Sequence, residues 1–204
     1  FKLSEAGYDG HAALGDFLPP VQLPRRMWAG SRIQFLEPLK IGHEYKKTST
    51  IKNVMAKSGR SGELVFVTVS HEVSNGPSMC INEEHDIVYR EKATTNSEAP
   101  KLVEAPSKFD FSIDINPDPV LLFRYSALTF NGHRIHYDYP FCTETEGYDG
   151  LVVHGPLLAT LLLDGLASQK PDAVVQNFEF SAMAPVFDNM NFKIRGIETE
   201  PTEY

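Results

Sequence analysis

Two histidines, an asparagine, an arginine and an aspartate fall within nine residues of this chain, Phe130-Asn131-Gly132-His133-Arg134-Ile135-His136-Tyr137-Asp138. Eighteen residues after His136 comes His154-Gly155, at the head of the longest apolar stretch, Leu151 to Leu166. An imidazole titrating near its ordinary value takes protons at neutral pH, so His136 has the chemistry of a general base. The amide of Asn131 can hold a water by hydrogen bonding. A backbone N–H at the start of a helix takes up negative charge on an oxygen, and Gly155 lacks a side chain to keep a carbonyl away. Base, water holder and oxyanion donor are the three parts needed to add water to an olefin conjugated to a thioester.

Other readings of the same residues stand beside this one. A histidine-rich loop also occurs as a structural or solvated segment. His133, His136, Asp138 and His154 are metal-ligand types, but no HExxH or comparable ligand spacing accompanies them, so no metal is expected. A Ser-His-Asp mechanism lacks its Gly-x-Ser-x-Gly elbow.

These residues need elements to position them. Residues 1 to 24 are rich in Gly, Pro and Asp and read as irregular. From Arg32 onward, Ile33, Phe35, Leu39 and Ile41 alternate around a break at Pro38. Strands are expected over Tyr45 to Met55, Glu63 to Val73 and Ile81 to Tyr89, with a turn at Lys57-Ser58-Gly59-Arg60-Ser61-Gly62. Residues 91 to 118 have the polar, Pro-, Ser- and Thr-containing composition of a linker. Pro119 after Asp118 opens a helix through Leu128, and a longer helix is expected over Val152 to Ser168, stopped by Pro171. Strands near Val174 to Met183 and Asn191 to Ile197 follow. A shift of 147 residues superposes Ile33 on Phe180, Pro38 on Pro185, Leu39 on Val186 and Tyr45 on Phe192. That order suggests a duplicated unit, with the long helix missing from the first copy.

Composition narrows the class. The chain has 204 residues, 42% hydrophobic and 23% charged, with a net charge of −8. Without clustered Lys and Arg interleaved with aromatics, nucleic acid is not an expected partner. No run of about 20 apolar residues spans a membrane. Cys80 and Cys142 have no CxxC spacing and are expected as free thiols. Both chain ends look cut, with further strands expected after Tyr204.

The segment Tyr125 to His136 resembles the signature of the MaoC-like, R-specific enoyl-CoA hydratases, whose loop runs roughly Gly-Asp-x-Asn-Pro-Leu-His. Asn131 falls on that family's catalytic Asp and His136 on its catalytic His. His154-Gly155-Pro156 is similar to the start of its central hot-dog helix, where a glycine N–H serves as oxyanion donor. Asn replaces Asp, and His133-Arg134 replaces Asn-Pro, which leaves His136 alone as base. Phe123 to Tyr137 and Leu23-Pro24-Arg25-Arg26-Met27-Trp28-Ala29-Gly30 are similar to a narrower subgroup. It includes mesaconyl-C4-CoA hydratases, itaconyl-CoA hydratases and fungal mitochondrial 3-hydroxyacyl-thioester dehydratases.

The resemblance implies an α+β double hot-dog, an antiparallel sheet wrapped round a central helix and repeated. Its expected divisions are a degenerate N-terminal half at 1–95, a linker at 96–118 and a catalytic half at 119–204. It implies a hydratase of a C5 dicarboxylate enoyl-CoA, with a 3-hydroxyacyl-thioester dehydratase or a non-catalytic acyl-thioester-binding module as alternatives. Catalysis would fall to His136, Asn131 and Gly155, and substrate binding to Arg25, Arg26, Arg134, His133 and His154. No cofactor is expected beyond the CoA of the substrate. The expected partner is an acyl-CoA thioester, with a homodimer left open. The expected location is cytoplasmic, with the mitochondrial matrix as alternative.

Overall fold

The structure, a computed structural model, describes residues 3–59, 62–91 and 104–199. The chain divides into two compact units that interleave along the sequence. One comprises Leu14–Pro100 and Val174–Met183, the other Phe1–Ala13, Lys101–Ala173 and Ala184–Tyr204.

The first unit is a five-stranded antiparallel sheet in the order β2-β3-β4-β1-β6. Its strands are β1 (Arg25–Phe35), β2 (Lys46–Gly59), β3 (Gly62–Asn75), β4 (Ser78–Arg90) and β6 (Asn177–Ser181). From Val67 the β-branched run of β3 sets Val67 and Val69 on one side and Thr68 and Ser70 on the other, as a strand with one buried face must. Val67, Val69 and Tyr89 form the buried centre of that face, and Leu18, Val21 and Leu23 pack against it. No α-helix occurs among the described residues of this unit. The apolar stretch before β1, read from sequence as merely irregular, covers the sheet instead.

Strand β1 begins at Arg25, seven residues earlier than the alternation around Ile33 indicates. Its register against β4 shifts between Trp28 and Gly30, so the bulge breaks the period-two pattern that sequence reading relies on. Gly30 faces β6 so closely that a Cβ there would lie 2.4 Å from the Phe180 carbonyl oxygen. Within the expected 57–62 turn, Arg60 and Ser61 lie outside the described residues.

The second unit holds both α-helices found among the described residues, α1 (Pro119–Thr129) and α2 (Gly155–Gln169), and an antiparallel pair, β5 (Phe111–Ile115) with β7 (Phe192–Gly196). Strand β5 falls inside the stretch expected as linker, of which 92–103 lie outside the described residues. Its Phe-Ser-Ile-Asp-Ile alternation, too short to stand out among polar neighbours, is fixed by pairing with β7. Gly165 lets α2 lie close over this pair, since a Cβ there would meet Ile194 Cγ2 at 3.3 Å and Ile113 Cδ1 at 3.5 Å. Leu122, Cys142, Leu151, Val153 and Leu157 form the buried core.

Helix α1 starts where its sequence dictates. The Asp118 side chain accepts the Leu121 N–H at 2.8 Å, and Pro119 fills the first turn. Helix α2 starts at Gly155, three residues after the expected Val152. Val152 bridges to Phe187, and the Val153 N–H donates to the Val186 carbonyl at 2.8 Å, so this stretch is held extended.

Candidate active site

The site in the second unit is built where the end of α1 turns towards the start of α2. Phe130 closes α1 in the left-handed region at φ 52°, and the Asn131 N–H returns to the Ser126 carbonyl at 2.8 Å. Asn131 Oδ1 then accepts the His133 N–H at 3.0 Å. Because that donor can only face an oxygen, the Asn131 NH2 group is turned the other way and keeps its donors. A short 3-10 turn, Arg134–His136, follows.

Three fastenings hold this turn. The Arg134 N–H donates to the Asp9 carbonyl at 2.8 Å, and the Val152 N–H to the Ile135 carbonyl at 2.9 Å. The Arg134 guanidinium donates to Asp138 Oδ2 through Nε at 2.9 Å and Nη2 at 2.8 Å, while stacking 4.1 Å from the Phe141 ring centroid. Asp138 Oδ1 accepts the Phe141 N–H, opening the π-helical turn Phe141–Thr145. The Arg134 and Asp138 side chains hold each other charged: the guanidinium keeps the carboxyl below its ordinary value, and the carboxylate raises the guanidinium.

His136 is buried, with Nδ1 2.7 Å from the Val152 carbonyl oxygen. A carbonyl accepts and never donates, so Nδ1 carries the proton and Nε2 presents its lone pair. Burial pushes the imidazole down to about 4, although the Val152 bond pulls the other way, so the ring is neutral at neutral pH. His154 is wholly buried and stacks on His136 with ring centroids 3.7 Å apart and planes inclined by 18°. Burial first, and the neighbouring His136 second, push His154 down to about 3. Its Nε2 lies 2.8 Å from the Ser126 hydroxyl, and its Nδ1 has no hydrogen-bond partner among the described residues.

His154 is also the residue immediately before α2, and its side chain does not cap the helix. The Gly155 N–H belongs to the first turn, where backbone donors have no acceptor within the helix, and Pro156 contributes none. A neutral imidazole with a free Nε2 lone pair therefore sits against the residue that precedes an uncapped helix start. That arrangement can accept a proton and, beside it, stabilise an oxyanion.

The other sequence candidates are distributed as follows. His133 packs edge-on against His136 at 5.4 Å between centroids, and its Nε2 lies 3.7 Å from Asp9 Oδ2. Arg134 is near the site, but its donors go to Asp138 Oδ2 and, through Nη1, to the Tyr8 carbonyl at 3.4 Å. Arg25 and Arg26 belong to the other unit, at the first two positions of β1 opposite Arg90 and Tyr89. Sequence reasoning missed Ser126, Val152 and the Tyr8-Asp9-Gly10-His11 segment. Gly10, at φ 77°, lies so close to the site loop that a Cβ there would be 2.0 Å from the Gly132 oxygen. The Asp9-Gly10 turn dipeptide was the available signal, set in a stretch without periodicity.

The fold is similar to that of several solved structures. HtdX from Mycobacterium tuberculosis matches with a TM-score of 0.62 at 19% identity, over 81% of this chain and 64% of that one. A MaoC-like dehydratase from Phytophthora capsici matches with a TM-score of 0.60 at 16% identity, over 91% of this chain and 68% of that one. Another Mycobacterium tuberculosis protein, described as a double hot-dog, gives 0.53 at 14% identity over 83% and 61%. The fold is an α+β double hot-dog.

The family model of hydroxyacyl-thioester dehydratase type 2 matches residues 1–188, and the chain belongs to that family. Among its relatives, a mesaconyl-C(4)-CoA hydratase of Chloroflexus aurantiacus is 48% identical over 94% of this chain and 68% of its own length. A mitochondrial hydroxyacyl-thioester dehydratase type 2 of Schizosaccharomyces pombe is 29% identical over 96% of this chain and 73% of its own. Membership places the chain among the hydro-lyases.

Proposed function

We propose that this protein adds water to the double bond of a C5 dicarboxylate enoyl-CoA, mesaconyl-C4-CoA or itaconyl-CoA, giving citramalyl-CoA. The observation that carries the reading is the neutral His136, fixed by the Val152 carbonyl with its Nε2 lone pair free and stacked beside the start of α2. The 48% identity to a mesaconyl-C(4)-CoA hydratase supports the substrate class.

In this reading, on the conjugated double bond of mesaconyl-C4-CoA, His136 Nε2 takes a proton from water held by the Asn131 amide as the water oxygen bonds to the β-carbon. The olefin pair moves to the α-carbon and thioester oxygen, where the Gly155 N–H meets the charge. The imidazolium then returns its proton to the α-carbon, which restores the base and completes the addition. Water is consumed and no redox cofactor takes part; CoA enters only as the carrier of the substrate. His133 and His154 hold the base in place, and Arg134 fastens its loop. Arg25 and Arg26 are the cations assigned to the acyl carboxylate or the CoA phosphates, a task suited to guanidinium groups. We assign the protein to the cytoplasm, with a homodimer as the assembly to be tested by its mass in solution. No helix among the described residues is long and apolar enough to cross a membrane.

Membership of the type 2 dehydratase family favours a second reading, elimination of water from a 3-hydroxyacyl thioester by the same residues run in reverse. The matching Schizosaccharomyces pombe enzyme, described as mitochondrial, would then be the guide to location. Incubation with mesaconyl-C4-CoA, itaconyl-CoA and crotonyl-CoA, resolving the hydrated acyl-CoA products by liquid chromatography, separates the readings. Turnover of the two dicarboxylates is expected. Turnover of crotonyl-CoA alone supports the dehydratase, and turnover of none leaves an acyl-thioester-binding module and removes the proposal.

A further inference from the structure

The sheet of the first unit carries a polar island on an otherwise apolar face. Along β3, Val67, Val69 and His71 share one side of the strand; their partners on β4 are Ile87, His85 and Glu83. Val67 and Val69 are buried core, and the next step along the face replaces apolar packing with His71, Glu83 and His85. Each offers a ligand atom, and the three atoms lie within 4.8 Å of one another. All three residues are partly buried. A charged carboxylate and two imidazoles on a core face require an explanation that an exposed cluster would not.

A second layer of bonds holds the three groups. The Ser49 hydroxyl lies 2.7 Å from His71 Nδ1, which leaves Nε2 of that ring to offer. Glu83 Oε1 accepts from the Ser31 hydroxyl at 2.7 Å, and Ser31 accepts from Trp28 Nε1 at 2.9 Å. His85 stacks on the Trp28 ring at 5.3 Å between centroids, and its Nδ1 faces Glu83 Oε1 at 3.2 Å. Burial alone would raise the Glu83 carboxyl, but the bonds from His85 and Ser31 outweigh it and hold it down at about 2. The cluster thus presents one negative charge and imidazole lone pairs, with outer partners fixing the rings as they do in metal centres.

We propose that His71, Glu83 and His85 form a binding site for a divalent first-row transition ion such as zinc, with water completing the coordination. Bond lengths of about 2.0–2.2 Å require the ligand atoms to draw in by roughly an ångström, which side-chain rotation on fixed strands supplies. The site cross-links β3 to β4 and is separate from the hydration chemistry assigned to His136. The expectation of no metal came from contiguous spacings such as HExxH, whereas these ligands meet only through strand pairing.

The test uses untagged protein stripped with a chelator and dialysed. Zinc titrated against a chromophoric chelator should bind at one equivalent with a Kd on the order of micromolar or tighter. Zinc should also raise the melting temperature, because it binds the folded state alone. The His71→Gln/His85→Gln double variant and the isosteric Glu83→Gln variant should each weaken binding by about tenfold or more. The His136→Ala variant should bind as the parent does, which separates this site from the other histidine cluster. Absence of stoichiometric binding to the parent protein overturns the proposal. So does undiminished binding to Glu83→Gln, or to the double variant with its circular dichroism preserved.

Discussion

The rings of His136 and His154 lie nearly parallel, 3.7 Å between centroids, and both are neutral because burial disfavours their charged forms. One ring is tied to the Val152 carbonyl and the other to the Ser126 hydroxyl. A proton arriving on His136 during turnover therefore meets an uncharged neighbour and, among the described residues, no carboxylate bonded to the ring, which favours its prompt return to substrate.

Replacing His136 by Ala is expected to lower kcat by about 10² to 10⁴, the usual range for an acid–base group, while circular dichroism is preserved. Turnover close to the parent value removes His136 from the mechanism.

Stability should depend on pH through the same ring. His136 titrates at about 4 in the folded protein against 6.5 for the free side chain, so between these values the unfolded chain binds more protons. Stability from this group is therefore fully present above the unfolded value and is lost as pH falls from about 6.5 towards 4. His154, at about 3, extends the loss further down. Urea midpoints measured from neutrality to about pH 4.5 should fall, and fall less steeply in His136→Gln. An identical slope in that variant would contradict the assignment.

Ser126→Ala should destabilise the fold by about 1–3 kcal/mol, because it strips a wholly buried imidazole of its hydrogen-bond partner. Equilibrium urea unfolding measures the loss. A Ser126→Thr variant, which retains the hydroxyl, should recover part of it.

Gly10→Ala tests the contact between the 8–11 segment and the site loop. Its positive φ alone costs on the order of 1 kcal/mol for a residue with a Cβ, and collision with the Gly132 oxygen adds to that. Gly42, at φ 89° with nothing within 4 Å, supplies the control for strain without collision. Gly10→Ala should lower both melting temperature and kcat, whereas Gly42→Ala should lower melting temperature only slightly. Equal effects in the two variants would show that the close approach does not matter.

The elements easiest to read were those with their own punctuation. Asp118-Pro119 marks the start of α1, Pro171 the end of α2, and the β-branched run of β3 admits no other reading. The His136 and His154 pair was visible as residue types, but its stacking depends on the extended stretch 152–154, fixed by Phe187 and Val186 far along the chain. Ser126 looked like one more polar residue on a helix, since nothing local announces a buried imidazole 28 residues away. Strand β5 and the start of β1 were hidden by a short alternation and a bulge. The His71, Glu83 and His85 group was invisible because its members become neighbours only through the β3–β4 register.

The interleaving of the two units bears on how the protein is made. Strand β6, at the edge of the first sheet, is translated after both helices of the second unit, while the residue 8–11 turn that closes the site loop is translated before β1. A nascent chain stalled between them would hold an unfinished sheet and an early turn awaiting its mate. No single proteolytic cut can release either unit whole and free of the other.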